Sequence, residues 1–97
     1  MPTFVSLVNW TDQGIKNYRD SVRRAEDYLG LVEKSGGQVH QLVWTLGEYD
    51  VVAVTEFPDD ETATAVALQT AALGNIRTKT MKAFDAEQMS TIIQRTG

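Results

Sequence analysis

Apolar and polar positions change rhythm several times along the chain. From Thr3 to Trp10 the β-branched and aromatic content favours a strand, and Phe4, Val5, Leu7, Val8 and Trp10 make both parities largely apolar. Such a strand is buried on two faces and therefore central. Thr11-Asp12-Gln13-Gly14 breaks the pattern, with Thr11 as a plausible N-cap. Ile15, Tyr18, Val22, Ala25, Leu29 and Val32 then recur in steps of three and four, which predicts one helical stripe. Asp20-Ser21 falls inside that stripe and can itself cap, so a short turn before a longer helix from about Val22 is a second solution. Ser35-Gly36-Gly37 ends the helix, one glycine supplying the left-handed C′ position.

Val39 to Leu46 alternates again. His40, Leu42, Trp44 and Leu46 fall on one face, and Val39, Gln41, Val43 and Thr45 on the other. Gly47-Glu48 leads into a third strand, Tyr49 to Phe57, and so short a connection predicts an antiparallel hairpin. Val51 to Val54 are apolar on both parities, so this strand also reads as central. Pro58 stops it, and Asp59-Asp60-Glu61 suits a helix N-terminus. Ala63, Val66, Ala67, Thr70 and Leu73 form the next inward stripe, ended by Gly74-Asn75. Ile76 to Phe84 is a fourth strand, with Thr78 and Thr80 on one parity. Asp85 to Gln88 resembles a capping box, and a final helix to about Arg95 carries Met89, Ile92 and Ile93 on one face.

The order β-α-β-β-α-β plus a terminal helix predicts an α+β, ferredoxin-like domain with a four-stranded antiparallel sheet. Right-handed crossovers place both main helices on one sheet face. The other face would then expose more apolar surface than a monomer usually tolerates, so the expectation is a dimeric α+β barrel, sheet packed on sheet.

The chain's 97 residues allow one domain over 1–97. A net charge of −4 with no basic run argues against nucleic acid. No apolar stretch approaches a bilayer span, and Met1-Pro2-Thr3-Phe4 does not read as a signal peptide. The absence of cysteine removes disulfides and thiolate metal sites, and fits a cytoplasmic location. With one histidine as well, neither a metal nor a cofactor is expected, although carboxylates can bind a hard cation.

Four segments in this order, Asn9-Trp10-Thr11-Asp12-Gln13-Gly14, Gly47-Glu48-Tyr49-Asp50, Pro58-Asp59-Asp60-Glu61 and Gly74-Asn75-Ile76-Arg77-Thr78, resemble the bacterial GYD-domain proteins over essentially the whole chain. The resemblance implies a ferredoxin-like fold similar to the dimeric α/β barrels. It implies no reaction. Related barrel families include small-molecule-binding stress proteins, cofactor-independent monooxygenases, haem-degrading enzymes and polyketide cyclases, and moving any of these activities here is fold-level analogy.

Candidate chemistry is sparse. Tyr49 as proton donor with Asp50 as its orienting base is one reading of the central motif; turn chemistry, with Gly47 at positive φ and Asp50 accepting backbone N–H groups, is the other. His40 is the default general base, and shares its expected face with Trp44; the alternative is an exposed or structural edge-strand histidine. Arg77 can fork onto a ligand carboxylate, or onto Asp50 or Glu56. Thr78 and Thr80 are either small polar groups inside a barrel or ordinary strand threonines, and Trp10 and Trp44 either wall a pocket or anchor a core or interface. Three functions compete. The first is an oligomer whose inter-sheet cavity binds a small apolar or aromatic molecule. The others are a cofactor-independent oxygenase or cyclase using His40 with Tyr49 or Asp50, and a structural or partner-binding module.

Overall fold

The computed structural model describes residues 1–97. Its elements are β1 (Thr3–Trp10), α1 (Asp12–Lys16), a 3₁₀ turn (Tyr18–Asp20), α2 (Ser21–Lys34), β2 (Gln38–Trp44), β3 (Val51–Glu56), α3 (Asp60–Ala72), β4 (Ile76–Ala83) and α4 (Ala86–Gln94). The strands form one sheet in the order β2-β3-β1-β4, with every neighbouring pair antiparallel. The two double-sided apolar strands are thus central, and the fold is ferredoxin-like α+β.

Helices α2 and α3 lie against one face of the sheet. That face carries Phe4, Ser6, Val8 and Trp10 of β1, in register with Thr55, Ala53 and Val51 of β3 and with Thr80, Thr78 and Ile76 of β4. At one end of this layer Phe4, Val32, Phe57 and Val66 make the buried core, with Tyr28, Leu31, Val39 and Ala63 packed around it. The Phe4 and Phe57 rings meet edge to face, with centroids 6.0 Å apart.

The long stripe from Ile15 to Val32 does not form one helix. Asn17 ends α1, and the 3₁₀ turn resets the phase before α2 begins at Ser21. Ala25, Tyr28, Leu31 and Val32 then face inward, while Ile15, Tyr18, Val22 and Leu29 remain exposed. Asp20 occupies the N-cap position but makes no capping hydrogen bond. By contrast, Asp85 caps α4 through the complete capping box with Gln88 that the sequence predicts, and in the predicted acidic start of α3 Asp59 is the residue that caps.

In β2 the predicted alternation fails at His40. The register shifts between Val39 and Gln41, so one extra residue bulges out of the ladder. Val39 pairs with Thr55, Leu42 with Ala53 and Trp44 with Val51, which puts all three on the helix side. His40 instead meets Glu56 on the opposite face, 3.1 Å away, and does not share a face with Trp44. The hairpin is also looser than a two-residue turn: β2 ends at Trp44 and β3 begins at Val51.

The open face of the sheet carries Val5, Leu7, Val52, Val54 and Met81, with Lys79 and Arg77 toward one edge. No helix of this chain covers it. Helix α4 makes at most glancing contact with the other elements, and the molecule measures 52 × 30 × 18 Å. Phe84, Met89 and Ile93 are left exposed along this terminal segment.

Candidate functional site

Beside the small core, three of whose residues (Phe4, Phe57 and Val66) also line it, α2, α3 and the sheet leave a hollow of about 220 Å³, partly open to solvent. Its cause is side-chain size. The middle row of the helix-side face is Ala53, Ser6 and Thr80, and the helices present Ala25, Ala63 and Ala67. Leucine-sized residues at these positions would fill the space. Tyr28, Leu31, Val66 and Leu73 wall it from the helices, and Leu42 and Val51 from the sheet.

At one end of the hollow, strand and loop ends are tied together by three of the four segments that resemble the family, all but Pro58-Asp59-Asp60-Glu61. The Asn9 side-chain amide donates to Glu48 O (2.8 Å), and Trp10 N donates to Asp50 Oδ2 (2.9 Å). Asp50 N donates in turn to Val8 O (2.8 Å). On the other side Thr11 Oγ1 donates to Gly74 O (2.6 Å), Thr11 N donates to Asn75 O (3.1 Å), and Gln13 Nε2 donates to Leu73 O (3.0 Å). Gly14 is forced by this clamp, since a Cβ there would sit 1.9 Å from Asn75 O. Gly47, at φ 132°, carries the hairpin loop through a conformation that favours glycine. Two tryptophans line this end of the hollow, Trp10 and Trp44, the latter donating from Nε1 to Ser21 Oγ (2.8 Å).

The polar groups around the hollow are of two kinds. Arg24, Asp27 and Gln69 lie on the helices; Arg24 donates to Asn17 O (2.9 Å) and Gly14 O (3.3 Å) and has no carboxylate partner. Ser6, Thr55, Thr78 and Thr80 lie on the sheet. The Ser6 and Thr80 hydroxyls are 3.1 Å apart and hydrogen-bonded. Tyr28 also lines the space, and burial raises its phenol pKa above the ordinary value. No three metal-ligating side chains gather anywhere in the molecule.

Among the residues singled out from sequence, Trp10, Trp44, Thr78 and Thr80 surround this one hollow. Arg77 does not. It lies opposite Asn9, on the open face, and pairs with neither Asp50 nor Glu56. His40, Tyr49 and Asp50 do not come together. His40 reaches Glu56, which is about 20 Å along β3 from Asp50 at strand geometry. Tyr49 stacks near Lys79, with its ring centroid 5.8 Å from Nζ, on the face away from the hollow. Asp50 spends one carboxylate oxygen on Trp10 N. An enzyme acting through these three residues has no common substrate position within the chain. Sequence inspection missed Ser6, Thr55, Ala53, Tyr28 and Arg24. Small residues on the inward parity of two central strands are the signal that could have found the first three.

The family model of the GYD domain matches residues 4–93. The chain belongs to the GYD-domain family. A curated relative, the "glutamine synthetase and cystathionine beta-lyase binding protein" of Thermus thermophilus, is 32% identical over 85 residues, 87% of this chain and 90% of the relative. The crystal structure of TTHA0845, also from Thermus thermophilus, superposes with a TM-score of 0.57 at 25% identity, over 89% of this chain and 96% of that one. That relative is named for binding other proteins. No helix of the present chain is long and apolar enough to cross a membrane.

Proposed function

We propose that this GYD-domain protein is a binding module rather than a catalyst, and that the hollow between α2, α3 and the sheet takes a small apolar or aromatic molecule. The supporting observation is the hollow itself, about 220 Å³ and mostly apolar. An apolar cavity of about 150 Å³ is enough to admit benzene. The volume is below the roughly 300 Å³ at which drug-sized sites begin, so the molecule is no larger than one or two rings. Trp10 and Trp44 report occupancy directly. Toluene should change their fluorescence saturably, and Ala53→Phe, which fills the floor, should abolish the change while the chain stays folded. No saturable response to either toluene or phenol from the wild-type chain would refute the proposal.

A second reading rests on a different part of the molecule. The open sheet face leaves Val5, Leu7, Val52 and Val54 half-buried with no helix over them, and the detached α4 leaves Met89 and Ile93 exposed. A second copy packed sheet to sheet covers the first four, and α4 then lies across the partner, giving a homodimer or higher homo-oligomer. Binding of other proteins, for which the Thermus relative is named, is a role that the same surface would also suit. Light-scattering chromatography at micromolar concentration checks the assembly. A monomer mass would remove self-association, and deleting 85–97 should weaken the oligomer if α4 contributes. A cysteine-free chain of this kind suits a reducing cytoplasm.

A further inference from the structure

Apolar walls would suffice to hold a hydrocarbon, but the floor of the hollow is not apolar. Thr55 is 1% exposed and its hydroxyl makes no hydrogen bond within the chain, yet no fully enclosed polar atom is left without a partner. Its hydroxyl therefore faces the hollow, which it lines. One step across and along the sheet, Ser6 and Thr80 bond to each other at 3.1 Å. That bond uses one of their two donors and one of their acceptor sites, so a donor and several lone pairs remain. A hydroxyl held out of bulk water without a protein partner is costly unless something else bonds to it.

From these hydroxyls we infer that the hollow selects a small neutral molecule carrying one hydrogen-bonding group on an apolar ring, with phenol as its simplest representative. The inference rests on the reading of the hollow as a ligand site. The ring occupies the space under Tyr28, Leu31 and Trp44, and its polar group meets Thr55 and the Ser6–Thr80 pair. A neutral group is favoured over a carboxylate for two reasons. The floor carries no cation, and the only cation of the lining, Arg24, is already held by two backbone carbonyls and shares α2 with Asp27. The desolvation that raises the pKa of Tyr28 would also penalise a buried ligand anion.

Toluene, phenol and benzoate have closely similar shapes and separate the possibilities by amide chemical-shift titration. Phenol should bind about tenfold more tightly than toluene, the scale of one net hydrogen bond. In Thr55→Val, which keeps the shape and removes the hydroxyl, the preference should fall to about twofold or less, with the toluene constant little changed. Ser6→Ala gives the same comparison independently, should Thr55→Val fail to fold. Toluene binding as tightly as phenol to the wild-type chain would overturn the selectivity and leave the hollow as a ligand site. A phenol preference that survives both substitutions, or benzoate binding tightest of the three, would also overturn it. If neither toluene nor phenol binds, both this inference and the proposed function fall.

Discussion

The two ends of the layer between helices and sheet are built from the same elements and behave differently. At one end Phe4, Phe57, Val32 and Val66 close on one another, and Val32 has no exposed surface at all. At the other, Ala53, Ser6, Thr80 and the alanines of α2 and α3 leave a hollow, and hydrogen bonds at its rim tie the elements together instead. The difference teaches that this domain separates two tasks that often share one core. Bulky side chains at the packed end hold the helices on the sheet. Clamped backbone at the open end keeps two tryptophans in place without filling the space between them.

The contrast is broken most severely from the packed end. Phe57→Ala should cost about 3–5 kcal/mol, the range for truncating a buried aromatic, read as a lower denaturant midpoint. A loss below about 1 kcal/mol would show that the packed end is not the source of stability. Next comes the clamp. Gly14→Ala drives a methyl into a backbone carbonyl, and the expected cost is at the upper end of overpacking, about 3 kcal/mol. The hollow should be far more tolerant. Ala53→Leu enlarges a side chain that is itself buried, yet should destabilise by less than about 1 kcal/mol because there is space to receive it; a packed core would lose about 1–3 kcal/mol. Equal losses for Ala53→Leu and for Val32→Leu, an enlargement inside the packed core, would erase the distinction between the two ends.

The smallest effect is a pH dependence at the packed end. Asp59 accepts a hydrogen bond from Thr62 N at 2.7 Å, and hydrogen bonding to Thr62 lowers its folded pKa below the ordinary carboxylate value. A depressed folded pKa means the cap contributes stability above the unfolded value and loses it as pH falls through the folded one. Asp59→Asn should therefore flatten the acid limb of the stability curve slightly, with no comparable change at neutral pH. An unchanged acid limb in the variant would remove Asp59 as a contributor.

How far the site is legible follows from what kind of information each feature needs. Gly47 is readable as a turn residue because its role is local, a left-handed backbone; the acceptor role of Asp50 is not, since the N–H it takes belongs to Trp10, 40 residues away along the chain. Thr78 and Thr80 fall on the hollow's side because alternation along β4 is regular. Simple alternation misplaces His40 because a bulge of one residue inverts every face beyond it, and nothing in Gln38-Val39-His40-Gln41 marks where the extra residue goes. Thr55 escapes notice because, within its own strand, it is an ordinary threonine. Only the helices opposite it make its hydroxyl unusual.

By itself, then, the sequence determined the order of elements, the central place of β1 and β3, the start of α3, the cap of α4, and the family signature. Each depends on residues within a few positions of one another, where periodicity, capping and turn preference act. Tertiary structure alone decided that the signature segments clamp one another across the ends of three strands, that α4 stands away from the sheet, and that a hollow lies under the helices. A hollow is the difference between the space that six elements enclose and the side-chain volume they bring to it. No single stretch of chain contains that difference.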